Sequence, residues 1–94
     1  MSYELEFDPR ALKEWKKLGE NIKLQFKKKL AEILINPEIP ANKLADFPNC
    51  YKIKLRNAGY RLVYQVQNDR IVVLVLAVGK RERFDAYQKA KDRL

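Results

Sequence analysis

Lys52, Lys54 and Arg61, followed by Lys80, Arg81, Arg83 and Tyr87, are the residues of this sequence whose types and spacing could do chemistry. Cations at this density suit phosphate contacts, and aromatic rings suit base stacking. Arg61 and Arg81 can grip a phosphate through two parallel bonds, whereas Lys acts as a point charge. RNA brings its own nucleophile, the 2′-hydroxyl. A protein can cleave it by activating that hydroxyl and stabilising the charge of the phosphorane. Without His, the base falls to Lys or Tyr, both with a free pKa of about 10. Neighbouring cations lower that value, so a cation cluster makes a base as well as a phosphate clamp. The acid is harder to supply. Arg gives up a proton poorly and better serves to stabilise leaving-group charge. Tyr87, from pattern alone, fits a helix residue packing on a sheet better than a catalytic one.

The first three cations must be positioned by Cys50–Tyr64 (CYKIKLRNAGYRLVY), which reads as two strands around Asn57-Ala58-Gly59. Tyr51, Ile53 and Leu55 alternate with Lys52, Lys54 and Arg56. Tyr60, Leu62 and Tyr64 alternate with Arg61, Val63 and Gln65. Successive strand side chains point to opposite faces, so one face is apolar and the other carries cations. A two-residue loop Asn57-Ala58 sets Arg56 against Gly59, Leu55 against Tyr60, Lys54 against Arg61 and Tyr51 against Tyr64. A three-residue loop with Gly59 as a left-handed bulge is also sound turn chemistry, but it slips the register by one. A slip flips a whole face, so the binary pattern favours the first register. Like charges directly opposite each other destabilise a sheet. Lys54 across from Arg61 would be relieved by a bound polyanion, the plain alternative being a solvated face that is simply basic.

The 94 residues suit one domain, 1–94, and a hydrophobic fraction of 47% suffices for one core. The net charge of +8 is lopsided. Residues up to Tyr51 carry 9 Lys/Arg against 8 Asp/Glu; from Lys52 onward there are 11 against 4. Such a field implies an anionic partner, nucleic acid first, with acidic protein or a membrane surface behind it. A Cys/His zinc site is unavailable without His and with Cys50 as the one cysteine. Cys50 reads as a small buried residue, and the absence of a disulfide fits a reducing cytoplasm. With no Thr and Ser2 as the one Ser, a Ser/Thr–His system is missing. Glu82, Asp85 and Asp92 are too few and too mixed with cations for a metal-dependent nuclease. No signal peptide is seen, and Ile71–Val78 is too short to span a membrane.

In chain order, Tyr3–Phe7 alternates as a half-buried strand. Asp8-Pro9 reads as N-cap and first position of a helix with Ala11, Leu12, Trp15 and Leu18 on one side, ended by Gly19. Asn21 can cap a second helix running to about Ile35, with Ile22, Phe26, Leu30, Ile33 and Leu34 as its stripe and Lys27, Lys28 and Lys29 between. The short link predicts an antiparallel helical hairpin. Asn36-Pro37 stops it, and Asn36–Asn49 reads as an ordered connection. After the basic hairpin, Gln67-Asn68-Asp69 turns into Arg70–Val78, apolar enough to be covered on both faces. A last helix from about Phe84 to Arg93 carries Phe84, Tyr87 and Leu94 on one side. The fold class is α+β, β-α-α-β-β-β-α, with the helical hairpin packed on a twisted antiparallel sheet and the position of the first strand left open.

These residues resemble the RelE family of bacterial toxin–antitoxin toxins from end to end. The resemblance rests on FD-x-RALKEW at Phe7–Trp15, KKKL at Lys27–Leu30, ANKL at Ala41–Leu44, CYKIKLR at Cys50–Arg56, GYRLVYQV at Gly59–Val66, and VGKRER followed by Tyr at Val78–Tyr87. It implies an endoribonuclease that cuts mRNA in the A site of the 70S ribosome by 2′-hydroxyl attack, with no metal and no cofactor. It implies that Lys52, Lys54, Arg61, Arg81 and Tyr87 carry the chemistry. Tyr87 becomes the favoured base, with Lys52 and Lys54 assisting or competing, Arg61 a phosphate clamp and Arg81 the group facing the leaving oxygen. Arg56, Lys80, Arg83, Lys27 and Lys28 are the expected RNA and ribosome contacts. Ala45 departs from the pattern, where a basic residue is expected, and weighs against one RNA backbone contact but not against the chemistry. The family further implies a cognate antitoxin that neutralises it and operator DNA bound by the toxin–antitoxin complex, while the single cysteine and the short apolar run lead to the expectation of a cytoplasmic protein with no membrane partner. Two other functions fit the same scaffold: a non-catalytic toxin such as the gyrase-poisoning ParE branch, and a plain basic nucleic-acid-binding module.

Overall fold

A computed structural model describes residues 2–80 and 85–94. Arg81, Arg83 and Phe84, expected in the site and at the start of the last helix, lie outside the described residues. The elements are β1 (Glu4–Phe7), α1 (Pro9–Lys16), α2 (Glu20–Ile33), β2 (Cys50–Leu55), β3 (Tyr60–Gln67), β4 (Val72–Lys80) and α3 (Asp85–Arg93). The order is the expected one. The four strands form one sheet in the order β1-β4-β3-β2. β2, β3 and β4 are an antiparallel meander, and β1 joins the edge of β4 in parallel, Leu5 opposite Val73, which makes the sheet mixed.

The β2–β3 register is the one the binary pattern favours, with Lys54 opposite Arg61 and Leu55 opposite Tyr60. The turn is not a two-residue loop. Leu55–Tyr60 is the last pair, and the Gly59 N–H donates to the Leu55 carbonyl at 2.8 Å across a four-residue turn. Gly59 has φ 71°, so the left-handed conformation is real, but it closes a longer turn and leaves the register intact.

Asp8 caps α1 by accepting from the Arg10 N–H at 2.9 Å, with Pro9 at the first helical position. Asn21 does not cap α2: it lies inside the helix, and Gly19 is the N-cap with no side-chain bond. The helices meet through Trp15 and Phe26, whose ring centroids are 6.0 Å apart. Phe26, Leu30 and Ile33 pack with Ile53, Leu62, Tyr64, Val73 and Val75 on one sheet face. Tyr64, fully buried there, stacks on Tyr51 and donates its hydroxyl to the Pro37 carbonyl at 2.8 Å, which ties the connection to the core. Two residues expected inside are not. Leu12 is 36% exposed and Leu94 50% exposed.

The opposite face is smaller and belongs to α3. Cys50, Val63, Leu76 and Ala77 pack there against Ala86 and Ala90. The β3–β4 register shifts between Val63 and Tyr64, from Ala77 to Val75. This bulge lets Leu76 and Ala77, although consecutive, serve the same face. Covering of β4 on both sides explains its unbroken apolar sequence.

Candidate active site

Strand alternation sends Lys52 and Lys54 of β2, and Arg61 of β3, to the face that carries α3. Lys54, Arg61 and Gly79 form one row across three strands, and Lys52, Val63 and Ala77 the next. All three cations are half-buried. Ala86 and Ala90 seat α3 over the apolar part of this face, beside the cations. Tyr87, on the same helix, is half-buried and packs against the margin of that cluster.

Lys52, Lys54 and Tyr87 line one open pocket of about 330 Å³, whose other wall is Leu44, Ala45, Asp46 and Phe47. That wall comes from the connection before β2. It is held by the Leu44 N–H to the Cys50 carbonyl at 2.9 Å and by a bridge between Lys43 and Tyr51. The loop thus lies along the free edge of β2. Ala45, where a basic residue was expected, contributes no charge to this wall.

The cations are uncompensated. Among the described residues the ion pairs engage Arg10, Lys23, Arg70, Lys89 and Arg93, and none engages Lys52, Lys54, Arg56 or Arg61. The Lys54 ammonium is held below the ordinary lysine value, first by the charge of Lys52, then by desolvation and by the charges of Arg61 and Arg56. The guanidinium of Arg61 donates to the Tyr60 carbonyl at 3.1 Å, which leaves further N–H groups for a ligand.

Other expected contacts lie elsewhere. Arg56, in the turn, lines with Lys54 a second cleft beside Lys29 and Asn42. Lys80 is exposed at the end of β4 and lines a cleft with Lys17 and Tyr60. Lys27 and Lys28 are exposed on α2, which packs on the other sheet face, and Lys27 borders an apolar groove with Leu5 and Phe7. They are not brought to the Lys52–Tyr87 pocket. Among the described residues no helix is long and apolar enough to cross a membrane.

Glu14 was missed. Its carboxylate accepts from both terminal nitrogens of Arg93 at 2.9 and 3.0 Å, from Lys89 at 2.8 Å and from the Val78 N–H at 3.2 Å. Burial opposes its charge, but those donors outweigh burial and hold the carboxyl below its ordinary value. The signal was available: Glu14 falls on the stripe of Ala11, Trp15 and Leu18, where an acid is out of keeping with burial.

The family profile described as "ParE toxin of type II toxin-antitoxin system, parDE" matches residues 5–83. The "mRNA interferase toxin RelE" of Escherichia coli (strain K12) is 58% identical over 94 residues, all of this chain and 99% of that protein. The chain belongs to the RelE family of toxins, within the wider ParE group. Two solved RelE structures carry the same fold. An E. coli toxin RelE (R81A/R83A) mutant in the free state superposes with a TM-score of 0.93 at 56% identity, over 100% of this chain and 99% of that one. The toxin chain matched in the intact E. coli RelBE toxin–antitoxin complex gives 0.84 at 61% identity, over 87% of this chain and 100% of that one. The RelE-family fold is therefore shared along the whole described sheet.

Proposed function

We propose that the protein is a ribosome-dependent endoribonuclease, an mRNA interferase, that cuts mRNA in the ribosomal A site and so stops translation. The observation that carries this reading is the convergence of Lys52, Lys54 and Tyr87 on one pocket, with the Lys54 ammonium already held below its ordinary value. The 2′-oxygen of the target nucleotide attacks the neighbouring phosphorus as its proton passes to the phenolate of Tyr87, or to the neutral amine of Lys52 or Lys54. The O2′–P bond forms and the P–O5′ bond breaks, and the leaving O5′ takes a proton from water, giving a 2′,3′-cyclic phosphate and a 5′-hydroxyl. Arg61, one strand in from Lys54, meets the charge of the phosphorane. Arg81 faces the leaving oxygen, and Arg56, Lys80 and Arg83 contact RNA backbone, with Lys27 and Lys28 available to ribosomal RNA.

A cluster of unpaired cations binds RNA with little selectivity, so the alignment of one 2′-hydroxyl must come from the ribosome. The protein accordingly works in the cytoplasm, where ribosomes engage mRNA. The E. coli relative is crystallised with its antitoxin, which supports a cognate antitoxin here, and operator DNA is the further partner of such a pair.

Primer extension on one mRNA, with and without ribosomes stalled at a defined codon, tests this. Cuts inside the A-site codon and only with ribosomes are expected. Arg61→Ala and Tyr87→Phe should leave ribosome binding nearly intact and lower the rate by about 10²-fold or more. Intact mRNA in both tubes would instead favour the gyrase-inhibiting ParE kind, and a DNA supercoiling assay would follow.

A further inference from the structure

We propose that Glu14 is a positioning residue for RNA cleavage: from α1 it clasps α3 through Lys89 and Arg93 and thereby fixes Tyr87 over Lys52 and Lys54. The inference rests on the site described above.

α3 is nine residues long, and the residues it buries are two alanines, Ala86 and Ala90. A methyl group leaves much freedom to slide and roll. The polar clasp removes that freedom. Lys89 and Arg93, one turn apart, both reach Glu14, and the Arg93 pair is bidentate. Arg93 also donates to the Leu76 carbonyl at 2.8 Å, while Glu14 accepts from the Val78 N–H. These are ladder groups of β4 beyond the point where β1 ends, at Phe7 opposite Val75. The carboxylate and guanidinium therefore finish the edge of β4 and dock α3 in the same act.

Lys89 follows Tyr87 by two residues, roughly 200° around the helix. The clasp thus holds the flank of α3 away from the pocket, and Tyr87 projects from the other flank toward Lys52 and Lys54. A grip on one flank sets the roll of the helix and so the position of the ring. A misplacement of about 1 Å can cost on the order of 10²-fold in rate.

The test is a double-mutant cycle in the ribosome-dependent cleavage assay. Glu14→Ala is expected to lower kcat at least ~10-fold with KM changed less than about twofold. Introduced into Tyr87→Phe, the same change should do little further, because Glu14 acts through Tyr87. In ¹³C-tyrosine NMR spectra, the Tyr87 signal should move or broaden in Glu14→Ala while those of Tyr51 and Tyr64 stay. Lys89→Met, which keeps the Glu14 bonds to Arg93 and Val78, should show the same pattern more weakly and serves if Glu14→Ala does not fold. An unchanged kcat in folded variants, or an equal loss with and without the Tyr87 hydroxyl, overturns the proposal. If the unmutated protein cuts nothing, the cleavage function fails, and the Tyr87 signal still reports on the clasp.

Discussion

A Cβ built on Gly79 would stand 2.5 Å from the Asp85 Oδ2 and 3.1 Å from the Ala86 nitrogen. β4 and the start of α3 approach each other this closely because position 79 has no side chain, and Gly79 sits directly beside Arg61 in the sheet. Gly79→Ala is therefore expected to turn the Asp85 carboxylate aside, to break its 2.8 Å bridge with Lys89, and to shift the start of α3 by a few tenths of an ångström. Overpacking of this kind costs about 1–3 kcal/mol. Cleavage should fall further than stability, measured as kcat beside a urea unfolding curve. Full activity would mean that the seat of α3 does not set the site.

Lys54 should titrate below the ordinary lysine value. Its ammonium is disfavoured chiefly by Lys52, so its folded value is lowered. In that window the unfolded chain binds more protons than the folded one. The contribution of Lys54 to stability thus improves as pH rises through the lowered value toward the ordinary lysine range. ¹⁵N or ¹³C titration of the Lys54 side chain checks this, and Lys52→Met should raise its midpoint. A midpoint unmoved by that substitution would disprove the coupling.

Cys50 should be inert in the native protein. Burial pushes its thiol up to about 11, and its Sγ–H points to the Pro48 carbonyl at 3.3 Å. The raised value favours the folded state below the ordinary thiol range, and that advantage is lost as pH rises toward 11. Alkylation by iodoacetamide near pH 8 is expected to follow global unfolding in urea. Rapid labelling of the folded protein would contradict it.

Ile71 is a β-branched residue at φ 54°, before β4, and 41% exposed. The left-handed region costs such a residue about 1–2 kcal/mol. Ile71→Asn should stabilise the protein by about 1 kcal/mol, a rise of several degrees in Tm. A fall in Tm would show that the side chain contributes more than its backbone costs.

What the sequence carried was mostly periodicity. The strand alternation around Lys52, Lys54 and Arg61 sufficed for their common face and register, because a slip would have buried cations. Asp8-Pro9 was enough for the start of α1. The parallel partner of β1 was not legible, since Glu4–Phe7 pairs with Val72–Val75, 68 positions further along the chain (72 − 4), and nothing local marks that choice. The bulge at Val63 was hidden by the uniform apolar run of β4. Leu12 lies outside the core it was expected to join, and Glu14 went unnoticed for a tertiary reason: the carboxylate finds its donors on α3 and β4. The pocket wall of Asp46 and Phe47 was invisible because a connection's path along a strand edge leaves no period to read.

The parallel pairing of Leu5 with Val73 also bears on synthesis. A chain emerging from its amino end exposes β1 first and β4 near the finish, so β1 waits unpartnered while the basic hairpin can already form. Glu14 waits with it, since Val78, Lys89 and Arg93 follow later still. The cations thus precede the helix that completes their pocket, and a growing chain able to attract RNA is not yet able to hold Tyr87 against it. Under the proposed cleavage function, damage to the message being read would in this way be delayed by topology until the domain is whole.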